Sequence, residues 1–115
     1  MKNFKKLIVW QRSMQLASET NKIVSKLPQE ERFTYRDQII RSSISIPSNI
    51  AEGSSRDSRK DFKRFLRISP GSCFELETQL LLLGQNEIVA PGLLKIAAGY
   101  NDEVQKMLHT LLKKT

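Results

Sequence analysis

Few residues in this 115-residue chain could carry chemistry: it has one cysteine, one histidine and one tryptophan, and aromatics make up 7% of it. A single cysteine, Cys73, excludes an internal disulfide. A single histidine, His109, excludes the paired Glu-x-x-His motifs of di-iron bundles, and no Cys/His spacing suits zinc. A Ser-His-Asp arrangement would have to use His109 near the fraying C-terminal end. Gly84 and Gly92 stand apart, so no glycine loop cradles phosphate. Glu75 and Glu77, two apart on a helix, point in different directions and form no carboxylate dyad. Cys73 falls on an apolar helix face and reads as a small buried hydrophobe. These absences argue against an enzyme, a metal site and a cofactor. The longest apolar runs, Leu7–Trp10 and Leu80–Leu83, are far short of the roughly 20 residues needed to cross a bilayer, so no membrane association is expected. With no signal-peptide pattern, the expected compartment is the cytoplasm. No stretch alternates with period two for long enough to build a sheet.

What remains is a chain sized for one domain, 39% apolar and 27% charged, with helical periodicity throughout. Leu7, Trp10, Met14, Ala17, Val24 and Leu27 follow steps of three and four, with only Asn21 breaking the stripe, and predict a helix over about residues 4–26, stopped by Pro28. After a polar connection at Glu30–Arg32, the stripe Ile39, Ser43, Ile46, Ile50 predicts a second helix over about 33–52, with Gly53 as its C-terminal stop. Pro47 lies inside that pattern and predicts a bend near Ser43. Ser58 with Asp61 reads as a capping box opening a third helix over about 58–84, closed by Gly84. Its face is Phe62, Phe65, Leu66, Ser69, Cys73, Leu76, Leu80 and Leu83. Pro70-Gly71 interrupt it, and the periodicity on both sides favours a bend there over two shorter helices. Pro91 suits the first turn of a fourth helix over about 91–113, carried by Leu94, Ala97, Tyr100 or Asn101, Val104, Leu108 and Leu111. Short loops then predict an all-α, antiparallel up-down-up-down four-helix bundle, bent at Pro47 and Pro70. In its second hairpin, Arg36 or Arg41 should lie near Glu75, and Gln38 near Ser72.

Acid is scarce relative to base: 19 lysines and arginines face 12 aspartates and glutamates, for a formal charge of +7 and a pI near 9.8. Arg56, Arg59, Lys60, Lys63, Arg64 and Arg67 recur at steps that gather side chains on one helix face. The predicted topology brings them to one end of the bundle with Lys2, Lys5, Lys6, Lys113 and Lys114. The opposite end has the mixed set Lys26, Glu30, Glu31, Arg32 and Glu87. A basic end is the electrostatic footprint of a polyanion binder. Phe62 and Phe65 fall on the apolar face and read as core, so RNA or DNA would be held by phosphate contact and shape. The bland reading is a solvated helix face partly neutralised by Asp57 and Asp61. Leu80–Leu83 and Leu7–Trp10 cover nearly the whole circumference of their helices, more than one small bundle can bury, and predict self-association.

Leu7 with Val9-Trp10-Gln11, the segment Leu27 to Phe33, Gln38 with Arg41, the string Ser45-Ile46-Pro47-Ser48-Asn49-Ile50-Ala51-Glu52-Gly53, Phe65 to Ile68, and Glu75 to Leu80 together resemble the four-helix-bundle family of 23S ribosomal RNA intervening-sequence proteins. The resemblance spans nearly the whole chain. It implies a small bacterial protein, often encoded within an insertion in the ribosomal RNA gene, that assembles as a ring-shaped homopentamer. The family is distantly similar to the accessory variability protein of diversity-generating retroelements, a basic pentamer that binds nucleic acid and a reverse transcriptase. No catalytic residue comes with the resemblance. One departure concerns the stripe: after Ile68 the family usually continues with alanine, arginine, glycine and serine, whereas here Ser69-Pro70-Gly71-Ser72 replaces the arginine with proline. The function expected is a non-enzymatic, oligomeric bundle that binds nucleic acid through Arg56, Arg59, Lys60, Lys63, Arg64 and Arg67. The alternative is an oligomeric protein-protein adaptor that holds a protein partner and no nucleic acid.

Overall fold

The computed structural model describes residues 3–115. A 3-10 turn, Phe4–Lys6, leads into five α-helices: α1 (Ile8–Ser25), α2 (Gln29–Ser54), α3 (Arg59–Leu66), α4 (Ile68–Gln85) and α5 (Pro91–Lys114). α3 and α4 follow one another with only Arg67 between them and together take the place of one long helix, so the fold is an all-α bundle of four antiparallel rods, 45 × 22 × 19 Å. α1 packs on α2 and α5, and α4 on α2 and α5.

The first helix is split from its leader. Asn3 caps the 3-10 turn by accepting from the Lys5 N–H, Leu7 is extended, and the α-helix starts only at Ile8. Its buried face is also not the stripe expected. Val9, Ser13, Leu16, Thr20 and Ile23 point inward, one residue and so about 100° round from Trp10, Met14 and Ala17. Two hydroxyls on the inner face hid this stripe from an apolar count. Each is satisfied within the helix: Ser13 Oγ donates to Trp10 O at 2.7 Å, and Thr20 Oγ1 to Leu16 O at 2.7 Å.

The second helix begins at Gln29, earlier than residue 33, because Glu30 and Glu31 form its first turn, where carboxylates oppose the positive end of the helix dipole. It runs without interruption through Pro47 to Ser54. Ile39, Ser43, Ile46 and Ile50 all face the core. Gly53 does not stop it, since no glycine of the described residues has positive φ. The need for glycine there is steric: a Cβ would sit 3.0 Å from both Phe62 O and Phe65 Cβ.

The break in the third rod falls at Arg67, three residues before Pro70. Proline has no N–H to return to the Leu66 carbonyl and its ring crowds the preceding turn, so the disruption appears upstream of it. Pro70 itself occupies the third position of α4, where an N–H would lack a helical partner anyway. Ser58 Oγ accepts from Asp61 N at 3.1 Å and caps α3.

α4 ends at Gln85, one residue past Gly84. Ile88 N–H reaches Leu83 O at 2.9 Å and Glu87 N–H reaches Gly84 O at 3.1 Å, a Schellman closure whose left-handed residue is Glu87, at φ 54°.

Polar bonds set the register between rods. Arg41 pairs with Glu75, Ser42 Oγ donates to Gln79 Oε1 at 2.7 Å, and Ser69 Oγ donates to Ile46 O at 3.0 Å. Ser72 meets Ser45 at 2.8 Å, not Gln38; the Gln38 carbonyl instead accepts from Gln79 Nε2, two helical turns further along α4. Arg12–Glu103 joins α1 to α5 at 2.8 Å.

Gly53→Ala should lower unfolding stability by about 1–2 kcal/mol, the crowding outweighing the gain in helix propensity. A stability equal to or above wild type in a denaturant titration would contradict the contact. Glu87→Gly should raise stability by about 1 kcal/mol by relieving the left-handed backbone, read as an upward shift of the same midpoint.

Candidate nucleic-acid interface

The basic stripe is assembled by the turn between α2 and α3. Gly53 and buried Ser54 bring the end of α2 against α3; Arg56 lies in the turn, Arg59, Lys60, Lys63 and Arg64 on α3, and Arg67 at the α3–α4 junction. All except half-buried Lys63 are exposed. α5 packs on α3, so Lys113 and Lys114 arrive at the same end, and the 3-10 turn carrying Lys5 and Lys6 packs on α1 and α2. Thr115 shares a small polar recess with Arg56, Asp57, Ser58 and Arg59. Lys2 lies outside the described residues. Lys26, Glu30, Glu31, Arg32 and Glu87 sit at the opposite end, around the α1–α2 and α4–α5 connections.

The six stripe residues are not equivalent. Arg56 is tied to Glu52 at 2.9 Å, and Arg64 approaches Asp61 at 3.6 Å. Arg59, Lys60, Lys63 and Arg67 have no carboxylate partner among the described residues. Arg59 and Lys60 also occupy the first turn of α3, where the helix dipole disfavours cations.

Phe65 differs from its expected place in the core. It is half-buried, with the Arg56 and Arg64 guanidinium carbons 4.6 and 4.7 Å from its ring centroid. Both distances are within cation–π range. The ring holds two arginines in place across the turn, nine residues apart in one case, a span at which sequence spacing is mute. Phe62 is buried as expected.

Elsewhere the chemistry is quiet. Cys73 is fully buried, and burial, aided by the charge of Glu77, pushes its thiol up to about 12 from an ordinary 9.0. His109 is exposed on α5. Among the described residues no group of acidic, histidine and cysteine side chains could hold a metal, and no helix is long and apolar enough to cross a membrane.

The structure is therefore that of a small helical-bundle protein with a basic end. The profile of the family described as 23S rRNA-intervening sequence protein matches residues 5–111, and the chain belongs to that family. A crystal structure of a protein of unknown function from the S23 ribosomal protein family of Bacteroides thetaiotaomicron is similar in fold, with a TM-score of 0.85 and 28% identity over 91% of this chain and 98% of that one. No curated protein matches the chain.

At pH 8 the Cys73 thiol of the native protein should react with Ellman's reagent at least tenfold more slowly than that of the protein in guanidinium chloride; reaction of the native thiol at the unfolded rate would place it at the surface. Because its folded pKa is raised, the neutral thiol's contribution to stability is complete below pH 9 and fades as pH rises towards 12.

Proposed function

We propose that this protein is a non-enzymatic, cytoplasmic homo-oligomer that binds the phosphate backbone of RNA or DNA through its basic end. The observation that carries this reading is the set of four cations without carboxylate partners among the described residues, Arg59, Lys60, Lys63 and Arg67, beside the arginines held on Phe65. Two of them load the positive end of a helix dipole, an arrangement that costs stability and is accounted for by a polyanion that relieves it. Phosphate is recognised in this way without base readout, so affinity should be broad across sequences and steep in salt.

Self-association is supported by large apolar side chains left in solvent, among them Ile8, Ile44, Phe74 and, at 94% exposure, Phe33. A homopentamer, as the family resemblance implies, would present five copies of the basic end and multiply weak contacts by avidity.

Fluorescence anisotropy with labelled RNA and DNA should give a dissociation constant that rises steeply between 50 and 200 mM salt. The variant with Arg59→Gln, Lys60→Gln, Lys63→Gln and Arg67→Gln should flatten the log–log salt slope by about 3, since each lost phosphate contact removes about 0.7–0.9. Millimolar binding at low salt to every polynucleotide, or an unchanged slope in the variant, would refute the proposal. Capture of a protein partner unaffected by nuclease and by this variant would favour the adaptor reading.

A further inference from the structure

Towards the end of the bundle away from the basic stripe, α4, α5 and their connection line an open groove of about 930 Å³. Its walls are apolar: Leu80 and Leu81 from α4, Ile88 and Val89 from the connection, Pro91 and Leu94 from α5. Leu81, in the last turns of α4, is 58% exposed. The walls run from Glu77 to Gln85 on α4 and from Pro91 to Asp102 on α5, about 12 and 17 Å of helix at 1.5 Å per residue. Two to three turns of a guest helix span those lengths.

Asn101 makes the groove more than an apolar dent. Its side chain is 1% exposed and lines the groove. Its Nδ2 donates to Cys73 O at 3.0 Å, while Oδ1 is the one buried side-chain polar atom of the described residues without a hydrogen-bond partner. A buried carbonyl left unpaired costs on the order of 1–3 kcal/mol, and this one sits directly behind the groove wall.

The rim carries the opposite sign from the rest of the molecule. Glu77, Glu87 and Asp102 border the groove and Lys95 is its only cation, on a chain of net charge +7. Glu77 accepts from Gln105 Nε2 at 2.8 Å and Asp102 pairs with Lys106 at 3.0 Å, while Glu87 has no cation within ion-pair distance among the described residues. An acidic surface attracts a cationic guest and repels a second anion.

From this combination we infer that the α4–α5 groove is a docking site for a cationic amphipathic helix of a partner protein, its apolar face seated on Leu80, Leu81, Ile88 and Leu94 and its basic flank against Glu77, Glu87 and Asp102. Helix-in-groove recognition of this type uses apolar anchors along one guest face and flanking charges for orientation. The site is separate from the basic end, so a protein helix and a polyanion could be held at once.

The probe is a labelled 18-residue helical peptide of leucine and lysine in amphipathic order, with a leucine/glutamate peptide of the same pattern as control, both at 150 mM salt and with the full chain. The leucine/lysine peptide should bind in the micromolar range, and the bound complex should shift the Asn101 side-chain amide resonances. Leu81→Arg and Ala98→Arg, both at exposed groove positions, should each weaken binding at least tenfold while circular dichroism stays unchanged. Rim neutralisation by Glu77→Gln, Glu87→Gln and Asp102→Asn should weaken it at least threefold. Absence of binding, equal binding by the arginine variants, or preference for the leucine/glutamate peptide would overturn the inference. So would sedimentation showing that a second copy fills the groove, with an oligomer that Leu81→Arg dissolves.

Discussion

The placement of the basic end depends on the close approach of Gly53 to α3. Residue 53 has no Cβ, and one placed there would lie 3.0 Å from both Phe62 O and Phe65 Cβ, so α2 and α3 sit closer than a side chain allows. That approach buries Ser54 and Phe62. It also brings Arg56, still leashed to Glu52, over the Phe65 ring beside Arg64. A Cβ at residue 53 would crowd Phe62 O and Phe65 Cβ at 3.0 Å, so the α2–α3 contact would have to give.

Between the rods, burial supplies most of the stabilisation and polar groups supply the register. Each fully buried leucine or isoleucine contributes about 1.5–3 kcal/mol regardless of which neighbour it touches. Such contacts tolerate sliding. The bonds of Ser42 to Gln79, Ser69 to Ile46 O and Asn101 to Cys73 O do not, because a shift of one turn would strand buried donors. Exposed pairs such as Arg12–Glu103 add orientation more than energy. A core with this many hydroxyls is set by matching, and the one unmatched buried atom, Asn101 Oδ1, lies where the core opens into the groove.

The apolar stripes of α2, α4 and α5 were legible because the residues that carry them are plain hydrophobes at helical spacing. The inner face of α1 was not, because Ser13 and Thr20 occupy core positions and their hydroxyls bond back to their own helix. Pro70 was legible as a disturbance, but its effect appears at Arg67, upstream, where the missing hydrogen bond and the crowded ring are felt. Gly53 was legible as special, for a reason other than the one its position suggested: space rather than a left-handed turn. The same turn type was used at Glu87, a residue with no sequence signal for it.

By itself the sequence determined an all-α chain of helical rods, a strong excess of base over acid, and six cations in one short segment, since periodicity, composition and spacing are local properties. Only the tertiary structure decided which of those cations lack carboxylate partners, that Phe65 holds two of them, and that the α4–α5 groove keeps an unpaired carbonyl behind an acidic rim. Those depend on residues brought together from different helices, and the distances between helices follow from close packing that no single segment encodes.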